Sequence, residues 1–261
     1  MSKIIFIDAG HGGADKGAVS GKFIESELNL KAALAARDYL KGYDCEVIMS
    51  RTEDTATKIT DMAAKAKKNG AAASVSIHHN AGGGDGAEAY YWYTDMHAKQ
   101  LAQELCNRFL EIGQNLRSVK PSSEAFYNFG MCRINAKNGI PAVLGEFAFL
   151  DNAGDSRIID TDAELKAEGE AYGKALVSFL KLEKRTAAKS PFPGEKITLQ
   201  NAALYRSATE KEESGKVTGT YWLYDGLAVN GRCRITNKAE NVGKKPVDKY
   251  VTGWIAVGDI P

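Results

Sequence analysis

The sequence predicts an α/β fold with a mainly parallel twisted sheet and helices on both faces, plus a small C-terminal all-β barrel. Three observations carry that expectation. Short apolar runs alternate with helical patterns through the first 182 or so residues, the order that builds a parallel sheet from βαβ units. A string with two prolines, Lys-Arg-Thr-Ala-Ala-Lys-Ser-Pro-Phe-Pro-Gly-Glu, then interrupts the pattern. Beyond it only short β-like pieces remain. The expected organisation is therefore a first domain over residues 1–184, a linker over 185–196 and a barrel over 197–261.

In chain order, residues 3–8 form a short apolar strand. Residues 25–40 are helical, because Leu28, Ala32, Ala36 and Leu40 fall on one face. A strand at 45–49 precedes an Ala-rich helix at 59–68, which Gly70 is placed to stop. Residues 73–78 read as a strand, and the glycine-rich stretch at 82–86 turns the chain. Residues 88–93 are β-like, 98–113 helical and 142–147 a strand. An amphipathic helix at 162–182 closes the domain with Leu165, Tyr172, Leu176 and Phe179 on its apolar side. The tail offers strands around 198–205, 219–224, 232–236 and 253–257.

Composition narrows the function classes. The net charge is +1, from 34 basic and 33 acidic residues, so no global field favours nucleic acid. No apolar run approaches the roughly 18 residues of a membrane-spanning helix, so no membrane insertion is expected. The N-terminal Met-Ser-Lys-Ile-Ile-Phe-Ile-Asp lacks a cleavage site and reads as a strand, so synthesis in the cytoplasm without a signal peptide is expected. Four cysteines without a Cys-x-x-Cys pair argue against a zinc knuckle or a disulfide scaffold. Histidine is scarcer in information than in number: His11, His78, His79 and His97 all lie in the first 97 residues.

In a parallel sheet, ligands gather at the C-terminal strand ends. Here the first strand runs into Asp8-Ala-Gly-His11-Gly-Gly, the third ends at His78-His79-Asn80, and the strand at 142–145 ends at Glu146. Glu25 opens the first helix beside them. Two imidazoles and one carboxylate form the donor set of a catalytic zinc, and a further carboxylate would be its general base. Neighbouring strand residues face opposite sides, so only one of His78 and His79 can ligate. His97 opens a helix and suits the surface, while Asp8 can support a ligand imidazole or shape the turn. The glycine loop fits no phosphate motif. A dinucleotide fingerprint would need Gly or Ala where Asp15 stands, and a P-loop would need Lys and Ser/Thr where Ala18 and Val19 stand.

With Asp8-Ala-Gly-His11-Gly-Gly, Glu25-Ser-Glu-Leu-Asn29, Val75-Ser-Ile-His78-His-Asn80 and Val143-Leu-Gly-Glu146-Phe-Ala-Phe in order, residues 1–182 resemble the zinc-dependent N-acetylmuramoyl-L-alanine amidases of the type 3 family. The resemblance implies that His11, Glu25 and His78 bind Zn²⁺, that Glu146 is the catalytic glutamate, and that peptidoglycan is the substrate. Asn80 is an expected substrate contact. The chain departs from the family pattern at Met62, at Ala66-Lys67 and at Gly145, which implies different helix packing and substrate contacts there. In the tail, Val251-Thr-Gly-Trp-Ile-Ala-Val looks like the end of a bacterial SH3-like wall-binding domain. Its aromatic residues can either stack on wall components or fill the barrel, and its net charge of +4 suits anionic wall polymers. The combined expectation is an endolysin or autolysin acting after lysis or holin-type release. The alternatives are a zinc peptidase cutting within the stem peptide and a non-catalytic wall-binding protein.

Overall fold

A computed structural model describes residues 2–184 and 193–260. The chain divides into two compact units, 1–185 and 186–261. Of the expected linker, residues 185–192 lie outside the described residues.

The first unit is a six-stranded sheet covered by helices. Strand β1 (Lys3–Ala9) is followed by a two-residue hairpin, β2 (Val19–Ser20) and β3 (Phe23–Ile24), which delivers the chain into α1 (Glu25–Leu40). Then come β4 (Cys45–Met49), α2 (Ile59–Lys68), β5 (Ala73–Asn80), β6 (Ala87–Trp92), α3 (Met96–Glu111), β7 (Leu116–Ser122), α4 (Gly130–Lys137), β8 (Ala142–Phe149) and α5 (Asp162–Leu180). The spatial order is β4-β1-β5-β8-β6-β7. The first four neighbours run parallel; β6 is antiparallel to β8, and β7 runs parallel to β6.

Period-two alternation assigns each strand residue to a face. Ile5, Ile7, Ala9, Val75, Ile77 and Val143 pack with α1, α3 and α5 into the main core. Phe6 faces the other way, meeting Met62 and Ala66 of α2 and Met131 of α4 in a smaller cluster. The same second face carries Asp8, Ser76, His78, Glu88 and Glu146 towards the strand ends, where the two short helices leave it uncovered. Close packing explains the departure from the family pattern at Gly145. A Cβ there would stand 2.3 Å from the Tyr172 hydroxyl, which instead donates to the Gly145 carbonyl at 3.0 Å. Met62 is buried, so that departure sits in helix packing as well, whereas Lys67 is exposed.

Besides the short β2–β3 hairpin, strand β7 and helix α4 escape sequence patterning for physical reasons. Strand β7 is half-exposed and contains Pro121, which only an edge strand tolerates, and β7 is the sheet edge. Helix α4 has only eight residues and starts at a glycine, too short for helical periodicity to register. Both β5 and β8 run two residues past their expected ends, β5 through His79 and Asn80 and β8 through the buried Ala148 and Phe149.

The second unit is an antiparallel sheet of β9 (Lys196–Leu204), β10 (Gly215–Val229), β11 (Arg232–Thr236) and β12 (Gly253–Ala256), in that spatial sequence. Tyr205, just past β9, exchanges two backbone hydrogen bonds with Trp254 of β12, at 2.8 and 2.9 Å. Ile197, Leu199, Leu223, Cys233, Ile235 and Ile255 form its core. A four-residue helix, α6 (Val247–Tyr250), interrupts a tail that the sequence reads as wholly β. The aromatic residues divide: Tyr224 is buried, whereas Tyr205, Tyr221, Trp222, Tyr250 and Trp254 stay half-buried.

Candidate active site

The C-terminal ends of β1, β5 and β8 converge with the first residue of α1. From these four places come His11, His78, Glu146 and Glu25, all lining one cleft of ≈ 590 Å³. Two glycines make the convergence possible. A Cβ on Gly10 would stand 2.3 Å from the His78 ring, and one on Gly17 would stand 2.4 Å from Glu25 Oε2. His11 itself adopts φ 61°, a left-handed conformation that turns the chain sharply at the end of β1.

Glu25 is the hub. Its Oε1 lies 3.1 Å from His11 Nε2 and 3.0 Å from His78 Nδ1, and its Oε2 accepts the Ala18 N–H at 2.7 Å. Ligand atoms of the three side chains lie within 4.8 Å of one another, a spacing that could hold a metal ion. Burial opposes ionisation of Glu25, but the hydrogen bonds from His11 and His78 outweigh it and keep the carboxyl well below its ordinary range. In return, hydrogen bonding to Glu25 raises His11 to about 9. For His78, desolvation pulls the other way, yet Glu25 and the facing Glu146 shift it upward. The cluster thus attracts positive charge, and a divalent cation would take the place of these protons. The donor set of two imidazoles and a carboxylate fits zinc.

Glu146 stands opposite His78 in the β5–β8 register. Desolvation pushes its carboxyl up to about 7. Its Oε2 is shut off from solvent and has no hydrogen-bond partner among the described residues. Asn80 lines the same cleft and donates to Glu88 Oε2 at 3.2 Å. Glu88 is buried and also takes the Tyr90 hydroxyl, Arg117 and Lys120. His97 is exposed on α3.

Several supporting residues are invisible to sequence reasoning. Arg51, buried just past β4, donates to the carbonyls of Ala9 (2.9 Å), Gly10 (3.1 Å), Ser26 (2.7 Å) and Glu53 (3.2 Å). It thereby ties the end of β1 to the first turn of α1. Behind the hub, Asn29 donates to the Gly10 carbonyl at 3.1 Å and reaches Glu25 Oε1 at 3.4 Å. Its Oδ1 meets His79 Nδ1 at 2.8 Å, and His79 Nε2 lies 3.2 Å from the fully buried Glu168 of α5. His79 therefore faces away from His78, as strand alternation requires. Asp8 accepts from the Ser76 hydroxyl beneath the cleft and touches neither imidazole nitrogen by hydrogen bond. The one available signal for Arg51 is a charged residue two positions past an apolar strand; Glu168 carries none within its helix.

The Amidase_3 family, N-acetylmuramoyl-L-alanine amidase, matches residues 5–178. The chain belongs to this family. The amidase is 29% identical over 261 residues to an endolysin of Bacillus phage SPP1, covering 97% of this chain and 90% of the relative. It is 31% identical over 195 residues to the N-acetylmuramoyl-L-alanine amidase CwlM of Bacillus licheniformis, covering 70% and 71% respectively. The catalytic domain of CwlV, an N-acetylmuramoyl-L-alanine amidase from Bacillus (Paenibacillus) polymyxa var. colistinus, aligns with a TM-score of 0.62 at 29% identity. That alignment covers 69% of this chain and 99% of the solved one. The protein is thus a peptidoglycan amidase resembling endolysins and autolysins. Among its described residues, no helix is long and apolar enough to cross a membrane.

The Arg51 clamp yields a stability test. Lysine retains the charge but has one nitrogen in place of three, so Arg51→Lys leaves buried carbonyls unpartnered. Urea unfolding of the amidase should show a loss of about 1–3 kcal/mol. A change below about 0.5 kcal/mol, the size of an ordinary surface substitution, would contradict the clamp.

Proposed function

We propose that the amidase holds Zn²⁺ through His11, Glu25 and His78 and uses Glu146 as the general base in cleaving the amide between N-acetylmuramic acid and L-alanine. One observation carries the reading: two imidazole nitrogens and a carboxylate oxygen from three separate elements meet beside a carboxylate that has a solvent-shielded, partnerless oxygen. When bound, zinc supplies polarisation of the scissile carbonyl and a lower pKa for the attacking water. Glu146 takes the proton from that water and returns it to the departing L-alanine nitrogen. Asn80, anchored through one amide hydrogen to Glu88, orients substrate with the other. The glycine clearances at Gly10 and Gly17 and the Arg51 clamp keep these groups in place without touching substrate.

The second unit acts as an SH3-like wall-binding module. The support is the four-stranded sheet whose ends meet at Tyr205 and Trp254, together with half-buried aromatic rings beneath cations. The Arg232 guanidinium lies 3.4 Å from the Tyr205 ring centroid, and the Arg234 guanidinium 4.7 Å from that of Trp254. A basic, aromatic surface suits anionic wall polymers. Tethering it to the catalytic unit raises the local concentration at an insoluble substrate. Delivery to the wall follows lysis or a holin-type pore.

Mass spectrometry of digested cell wall tests the reaction. Released stems should be intact and begin with L-alanine, and Glu146→Gln should lower turnover about 10²–10⁴-fold. Fragments beginning further along the stem would assign a peptidase instead; no release by the unsubstituted chain would leave a wall-binding protein. Sedimentation tests the tail. A chain ending at residue 184 should still cut soluble fragments but pellet poorly with walls. Equal pelleting of both lengths would remove the tail's binding role.

A further inference from the structure

The segment between β7 and α4 forms an aromatic ledge that the reaction above does not use. Phe126 is 70% exposed, Tyr127 51% and Tyr93 51%. With Lys120 and Pro121 they line a second cavity of ≈ 620 Å³. The ledge is continuous with the catalytic cleft. The ring of Tyr127 stacks on Phe129 with centroids 6.2 Å apart and planes 15° apart, and Phe129 is itself a wall of that cleft. Tyr90 packs beneath both rings, at 5.0 and 4.8 Å.

The backbone that carries these exposed rings is held in place. The Tyr127 carbonyl accepts from the Ser122 hydroxyl and from Phe129 N–H, and the Phe126 carbonyl accepts Ser123 N–H at 2.8 Å. Tyr127 takes φ 52°, a conformation a bulky residue adopts at a cost. The segment therefore bears strain while presenting large apolar faces to water beside a substrate cleft.

Charge on the ledge selects among parts of the substrate. Lys120 is its cation, and the ammonium is already paired with Glu88 at 2.5 Å while lying over the Tyr90 and Tyr127 rings. Glu124 adds a negative charge to the lining. Such a surface offers no free cation to the carboxylates of a stem peptide. It matches a neutral ring with apolar C–H faces, and the muramic acid carboxyl is uncharged while it is amide-linked to the stem.

We propose that Phe126 and Tyr127 form a saccharide subsite that stacks a sugar ring of the glycan strand adjoining the muramic acid whose stem is cut. The subsite rests on the amidase reading and adds to it a preference for glycan length. The test is a double substitution, Phe126→Ser with Tyr127→Asn, in the full-length chain. Asparagine tolerates the positive φ, so the loop keeps its path. Two soluble substrates are compared: a stem on a single N-acetylmuramic acid, and the same stem on a tetrasaccharide. The double variant should raise KM for the tetrasaccharide about tenfold, the scale of one aromatic stacking contact. It should leave kcat unchanged and the single-sugar substrate within about twofold. Equal losses on both substrates, or no loss on either, would overturn the subsite. Calorimetric titration with a stem-free tetrasaccharide reads the ledge independently of turnover. Binding should weaken about tenfold in the double variant, and unchanged affinity or no binding by the unsubstituted chain would count against the proposal. Failure of the amidase reading shows separately, as inability of the unsubstituted chain to release stems from either substrate.

Discussion

Burying the Glu25 carboxylate is the constraint around which the first unit is arranged. The residue opens α1 yet is only 4% exposed, and an ionised carboxylate in such a place must be met by hydrogen bonds and positive charge. Two imidazoles, from the ends of β1 and β5, meet it at 3.1 and 3.0 Å. Neither could approach if Gly10 or Gly17 carried a side chain. Nor could the hub hold its position without the Arg51 guanidinium joining the end of β1 to the first turn of α1.

Acidic side chains recur on and behind this half of the sheet, and each has a distinct resolution. Glu25 is ionised by its histidines. Glu88 is neutralised by Lys120 and Arg117, and Glu168 sits against His79 in the opposite layer. Glu146 lines the cleft with an oxygen that is both shielded and unpartnered, and burial lifts its carboxyl to about 7. A group held near neutrality can accept and return a proton within one catalytic cycle. Positive charge introduced at the hub would act on Glu146 across the short β5–β8 register, favouring its ionised, proton-accepting form. The fold therefore links the hub and Glu146 electrostatically.

The main elements were legible in the sequence from apolar runs and helical spacing, and the four converging residues from their places at three strand ends and one helix start. Apolar runs marked β1, β5 and β8; scarce histidines at strand ends marked His11 and His78, and a carboxylate closing an apolar strand marked Glu146. The His78–His79 assignment illustrates the limit of geometry alone: alternation separates the two but does not say which one faces the cleft. The family motif made that choice, and the structure puts His78 beside Glu25 with His79 against Glu168. What stayed hidden depends on contacts across long sequence separation. Arg51 reaches carbonyls on β1 and α1, and Glu168 comes from a helix whose own pattern reads as ordinary amphipathicity. The edge strand β7 and the short α4 were hidden for a different reason, since neither buries enough surface to impose a pattern. Their connecting segment is where the aromatic ledge lies.

The central claim is that Glu25 and its two histidines form one metal centre. Metal analysis after equilibrium dialysis against zinc tests it most directly, using the full chain beside Glu25→Gln, with circular dichroism confirming that both are folded. The account predicts one tightly held zinc per chain, lost in Glu25→Gln while the secondary structure persists. One zinc retained by the folded variant, or none bound by the unsubstituted chain, would contradict it.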